Sequence, residues 1–199
     1  ERTSMAIITE ELQARGADIP PENAAVVKRV IHTTADFDYA ENLQFTQGAA
    51  AAGVAVMQAG ATIITDTNMA LAGITKPGLA RLGGRALCFM AEPAVAEAAR
   101  AAGTTRAVAA MHLAAQQYPG AVLAVGNAPT ALLAIAEEIE TGLRPALVIG
   151  VPVGFVNVIE SKELVIANCR APYIVARGRK GGSNVAAAIC NAMLYQIRR

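Results

Sequence analysis

Tryptophan is missing from this chain, and the four Phe and four Tyr form no repeated stacking ladder. A surface that grips nucleic acid needs aromatics at intervals along a basic groove, and neither ingredient is present. Basic and acidic residues nearly cancel, 17 against 16, for a net charge of +1. There is thus no general pull toward nucleic acid or an anionic membrane, and any anion must be held by local placement. Cysteine is scarce too. Cys88, Cys169 and Cys190 are odd in number and far apart, with no close-spaced pair of the metal or redox type. They read as small buried hydrophobes of a reducing cytoplasm. With only His32 and His112 beside them, a transition metal held by the protein lacks ligands. The best membrane-span candidate, residues 48–64, is mostly Ala and Gly, is interrupted by Gln58 and runs into Asp66. It falls below the roughly 20 strongly apolar residues that a span needs, so a soluble cytoplasmic protein is expected. The chain opens on Glu1, with no initiator Met and no charged, apolar leader, so a few native residues are expected upstream. A Gly-x-Ser-x-Gly elbow and a credible Ser/His/Asp set are lacking, which leaves acyl-transfer hydrolysis without support.

What is present is apolar: 54% of 199 residues, against 17% charged. That length suits one domain over residues 1–199. Its richness in apolar residues points to a sheet covered on both faces and to a sizeable subunit interface. Helical spacing runs over 4–15, with Gly16 as a stop. Pro20 and Pro21 open a second helix reaching about Ile31, and 36–45 is a polar, aromatic connection with some helix. From there the pattern alternates. A small-residue helix over 46–59 precedes a strand at 61–65 (ATIIT); 86–90 (ALCFM) is a second strand, followed by helices over 93–102 and 105–117. Residues 121–125 (AVLAV) read as a strand, Asn127 as the cap of a long helix ending near Gly142, 146–151 and 173–176 as strands, and 183–196 as a final helix. Short apolar strands alternating with helices predict an α/β fold, a three-layer α/β/α sandwich around a mainly parallel sheet of about five strands. Ligands in such sheets bind beyond the carboxyl ends of the strands. The segments that follow these strands (66–68, 126–130, 152–154 and 177–183) hold much of the chain's Gly, Pro and Asn.

Several constellations could carry chemistry. Arg29 and His32, three apart at the end of the second helix, share a face if that helix reaches His32. A helix C-terminus favours a protonated histidine and the neighbouring arginine opposes it, so an acidic ligand on Arg29 would turn His32 into an acid. The plainer alternative is a capping histidine beside a solvated arginine. His112 sits in an Ala-rich helix with no acid one turn away and reads as structural. Residues 177–184 (RGRKGGSN) join a strand to a helix, with glycines, helix N-terminal N–H donors and three cations together. That is an anion site by composition, fit for a phosphate or several carboxylates, although a flexible basic turn would look the same. It lacks the spacing of a phosphate loop or a dinucleotide fingerprint. Asp66 and Asn68 either face the same crevice or merely begin a helix.

Read together, several blocks resemble precorrin-8X methylmutases: SMAII at 4–8, RVIH at 29–32 followed by DFDY at 36–39, GNAPTAL at 126–132, GVPVGFVNVIESK at 150–162 and RGRKGGSN at 177–184. The resemblance covers nearly the whole chain. It implies an acid-catalysed isomerisation in corrin biosynthesis, in which a methyl group migrates between adjacent carbons of one pyrrole-derived ring. It also implies a corrinoid substrate, a homodimer with that substrate near the subunit interface, and no added cofactor. On this resemblance the catalytic histidine is His32, with Ser4 and Arg29 as substrate contacts and Arg106, Thr130 and Ser183 in matching blocks. Met5 stands where an aromatic is common in the family, and the upstream segment that often covers the site is expected to be lacking. A wide apolar ring edged with carboxylates suits a broad cleft with scattered Arg, Lys and N–H donors. Two alternatives remain: an unrelated α/β transferase using the Gly-rich loop for a phosphate or coenzyme A, and a tetrapyrrole carrier without catalysis.

Overall fold

The computed structural model describes residues 1–197. Helices α1 (Arg2–Ala14), α2 (Ala24–Thr34) and α3 (Tyr39–Asn42) lead into strand β1 (Leu43–Phe45), then α4 (Ala49–Gln58) and β2 (Thr62–Thr65). Next come α5 (Asn68–Gly73), α6 (Lys76–Arg81), β3 (Arg85–Leu87), α7 (Pro93–Ala101), α8 (Arg106–Gln117) and β4 (Val122–Val125). The chain continues through α9 (Pro129–Glu140), β5 (Leu147–Gly150), α10 (Val158–Asn168), β6 (Tyr173–Ala176) and α11 (Ser183–Leu194).

The strands form one sheet in the order β1-β6-β5-β4-β2-β3, parallel throughout except for β1, which runs antiparallel to β6 at the edge. The α/β expectation stands, with a sixth strand added to the expected five. β1 escaped notice because three residues, Leu-Gln-Phe, are too few to display an alternating pattern. The inner strands are apolar on both faces, as parallel strands under two helical layers must be. Ile63, Val122, Ala124, Leu147, Ile149, Ile174 and Ala176 turn toward a core shared with α1, α2, α4 and α11. Their neighbours Ile64, Leu123, Val125, Val148 and Val175 turn to the other core, shared with α7, α8, α9 and α10.

Other elements differ in detail from the sequence reading. The Pro20–Pro21 segment is a turn, with the Asn23 N–H donating to the Pro20 carbonyl at 2.9 Å, and α2 runs on past Ile31 to Thr34. Asn127 is not the cap of α9; that position is Ala128, and the turn is held in another way described below. Helix α10 was not anticipated. Its buried stripe is Val158, Ser161, Lys162 and Val165, so two polar residues occupy the middle of the face that should read as apolar.

Candidate active site

Strand order reverses at β2. The chain goes from β2 to β3 on one side and then crosses to β4 on the other, which opens a crevice between the carboxyl ends of β2 and β4. Asp66 immediately follows β2 and is buried there. Its carboxylate accepts the backbone N–H groups of Gly126, Asn127 and Ala128 at 2.8, 2.9 and 2.7 Å, so it holds the turn after β4 from across the crevice. Burial pushes the Asp66 carboxyl above its ordinary range, and the three N–H donors oppose that push. The next residue, Thr67, caps α5 through the Ala70 N–H at 3.0 Å, and its hydroxyl lies 2.7 Å from the Ser183 hydroxyl. Asp66 and Thr67 thus join three strand-end segments. A cleft of about 500 Å³ lies here, lined among others by Asp66, Asn68, Met90, Arg106, Asn127 and Thr130. Arg106 starts α8, is exposed, and makes no ion pair with another described residue.

Ser4, Arg29 and His32 form a second group. Ser4 on α1 and the exposed His32 on α2 line a common cleft of about 290 Å³ with Ile7, Ile31 and Phe37. Arg29 precedes His32 by three residues on the same helix, as the spacing required. Its side chain is 16% exposed, and the guanidinium lies 4.9 Å from the Tyr195 ring centroid and meets the Glu1 carboxylate at 2.5 Å. That contact holds the Glu1 carboxyl below its ordinary range. The acid needed to offset Arg29 beside His32 is therefore supplied by the chain itself. His32 lies in the last turn of α2, which ends at Ala35 in a left-handed conformation with φ 54°.

The structure brings Ser4 and His32 together, with Arg29 one turn away, and groups Arg106 with Thr130 and, through Thr67, Ser183. The two clefts share no lining residue. A roomier cleft, of about 730 Å³, lies between the α1–α2 turn, α3 and β1, and contains none of these six residues.

The Gly-rich loop does not offer the three cations that its composition advertised. Arg177 is paired in two-pronged fashion with Glu163, at 2.7 and 2.8 Å, and Lys180 meets both Asp36 and Asp38 at 2.6 Å. Arg179 stacks over Phe155 at 5.4 Å. Two of the three charges are neutralised within the chain, and the two carboxylates push the Lys180 ammonium upward in pKa. What holds the loop is Lys162 of α10, whose ammonium donates to the Gly178 and Lys180 carbonyls at 2.8 Å each. Burial lowers Lys162 to about 8. Sequence reading missed Lys162 and the clamping role of Asp66. A charged residue on the inward stripe of a helix, one turn from apolar neighbours, was the available signal for Lys162.

His112 finds its acid on the neighbouring helix, with Nδ1 2.6 Å from the Glu138 carboxylate. Cys190 is buried, Cys88 and Cys169 are half-buried, and no cluster of three potential metal ligands occurs among the described residues.

The family model for precorrin-8X methylmutase matches residues 1–196. The chain belongs to that family. A cobalt-precorrin-8 methylmutase of Salmonella typhimurium is 43% identical, covering 100% of this chain and 94% of the relative. A precorrin-8X methylmutase of Pseudomonas aeruginosa is 40% identical over 96% of this chain and 92% of the relative. Among solved structures, the precorrin-8X methylmutase of Thermus thermophilus superposes with a TM-score of 0.88 at 41% identity, covering 98% of this chain and 94% of that one.

Proposed function

We propose that this chain is the isomerase of corrin biosynthesis that converts precorrin-8X to hydrogenobyrinate, or cobalt-precorrin-8 to cobyrinate, by moving one methyl group to an adjacent ring carbon. The observation that carries the reading is the family match over residues 1–196. His32 is the general acid. It is exposed in the last turn of α2 and shares its cleft with Ser4. A proton placed on the conjugated ring draws electron density from the carbons between which the methyl migrates. The proton then leaves, so substrate and product share one composition and no electron acceptor, nucleotide or added metal is needed. Arg29 exchanges Glu1 for a peripheral carboxylate of the substrate, and Ser4 donates from the same cleft. Arg106, Thr130 and Ser183 serve the far edge of the ring from the switch-point crevice. Relatives at 43% and 40% identity are named for cobalt-precorrin-8 and for precorrin-8X respectively, so both substrates belong in the proposal.

The protein works as a homodimer. A cleft of about 290 Å³ sits at the floor of the roughly 300–1,000 Å³ typical of small-molecule sites, and a corrin precursor is larger than most of their ligands. A second subunit supplies the remaining wall. Ile7, Met69, Phe155 and Val156 are all exposed apolar side chains, Phe155 to 83%, and C₂ pairing is the commonest way to cover such surface.

Titration with the coloured corrin product tests the reading. Tight binding with a shifted absorbance spectrum is expected, weakened by at least ~1.5 kcal/mol in Arg29→Ala through loss of a charge-assisted contact. Binding of coenzyme A or a nucleotide with none of the corrinoid would point to the transferase instead.

A further inference from the structure

We propose that Lys162 is a positioning residue for the His32 site, acting through the Gly-rich loop; this rests on the reading of His32 as the proton donor. Lys162 is fully buried, 0% exposed. Its partners among the described residues are two backbone carbonyls, those of Gly178 and Lys180, and no carboxylate. Burying an ammonium without a counter-ion is costly, and a methionine would fill similar space at lower cost. What the charge does there is tie two alternate carbonyls of a loop whose Gly178 and Gly182 have φ values of 80° and 138°.

The tied loop in turn grips the end of the catalytic helix. The second carbonyl that Lys162 holds belongs to Lys180, whose own ammonium meets Asp36 and Asp38. Those carboxylates follow Ala35, which ends α2, and Asp36 is four residues beyond His32. On its other side the loop is fixed where the Gly182 N–H donates to the Val151 carbonyl at 2.9 Å, directly before α11, which packs against α2. A contiguous chain of contacts therefore runs from the Lys162 amine, through Lys180, to the turn that terminates the His32 helix. Slack in the loop would move His32 relative to Ser4 without removing any group that touches substrate.

Lys162→Met tests this, with Lys180→Met as the exposed counterpart that leaves the core intact. Each is expected to lower kcat on the order of 10- to 100-fold, the scale of a small misplacement of a reacting group, with KM for the corrin substrate little changed. The double variant should be no slower than the slower single one, because both cut the same chain of contacts. An Ile135→Val variant, in the core on the face of the sheet away from α2, should retain kcat, which separates positioning from general destabilisation. Wild-type kcat in Lys162→Met, or losses that multiply in the double variant, overturns the proposal. Should His32→Ala itself turn over normally, the parent reading falls and the clasp is judged by amide exchange alone. Faster exchange at 178–182 and 36–38 in Lys162→Met then supports it, and unchanged exchange overturns it.

Discussion

Lys162 carries its amine in surroundings that disfavour the charge. Its folded pKa of about 8 lies below the ordinary 10.5, so the native state releases this proton before the unfolded chain does. Between those two values the unfolded state binds more protons, and stability rises with pH rather than falling. The gap supports a gain of up to ~3 kcal/mol across the window. A neutral amine still has two N–H donors for its two carbonyls, so the loop contact survives deprotonation. Denaturant unfolding of wild type and Lys162→Met at pH 7 to 10.5 should show wild type gaining on the variant from about pH 8 upward. A constant or shrinking difference would mean that burial does not disfavour the charge. The pairing of Arg29 with His32 was legible in the sequence because both lie on one helix. Asp66 and Lys162 were not, because their partners lie 60 to 62 and 16 to 18 residues away and become neighbours only once strand order is known.

At the scale of elements, the switch-point crevice depends on close backbone approach. A Cβ on Gly126 would come within 2.7 Å of the Ser183 Cα and 2.9 Å of the Gly182 carbonyl oxygen, both backbone atoms that cannot rotate away. Gly126→Ala is therefore expected to cost about 1–3 kcal/mol, as overpacking does, and to weaken corrinoid binding by parting the turn after β4 from the start of α11. Gly120→Ala, with nothing within 4 Å of the new carbon, is the control and should be near neutral in a thermal melt. Equal melting temperatures for the two variants would contradict this view of the crevice. The rim itself was readable beforehand, since Gly, Pro and Asn cluster after apolar strands where a parallel sheet binds its ligands. The electrostatics of the Gly-rich loop were not. Arg177, Arg179 and Lys180 look like free cations in one dimension, while Glu163, Asp36 and Asp38 reach two of them only in the fold.

For the whole molecule, Ser4 and His32 line one cleft and Arg106 and Thr130 another, and a wide ring must be met from more than one side. Light scattering at assay concentration should report a dimer, and dilution below its dissociation point should reduce specific activity. A fully active monomer would remove the second subunit from the site. The measurement that bears most directly on the central claim is conversion itself. Protein dialysed against a strong chelator is mixed under inert gas with precorrin-8X, or with cobalt-precorrin-8, and nothing else, beside His32→Ala. Wild type is expected to yield a product of unchanged mass with the absorbance of a completed corrin, while His32→Ala binds the ring and turns over at least about 100-fold more slowly. Failure to convert either substrate until a metal ion or nucleotide is added, or undiminished turnover by the variant, would contradict an acid-catalysed isomerisation carried by His32.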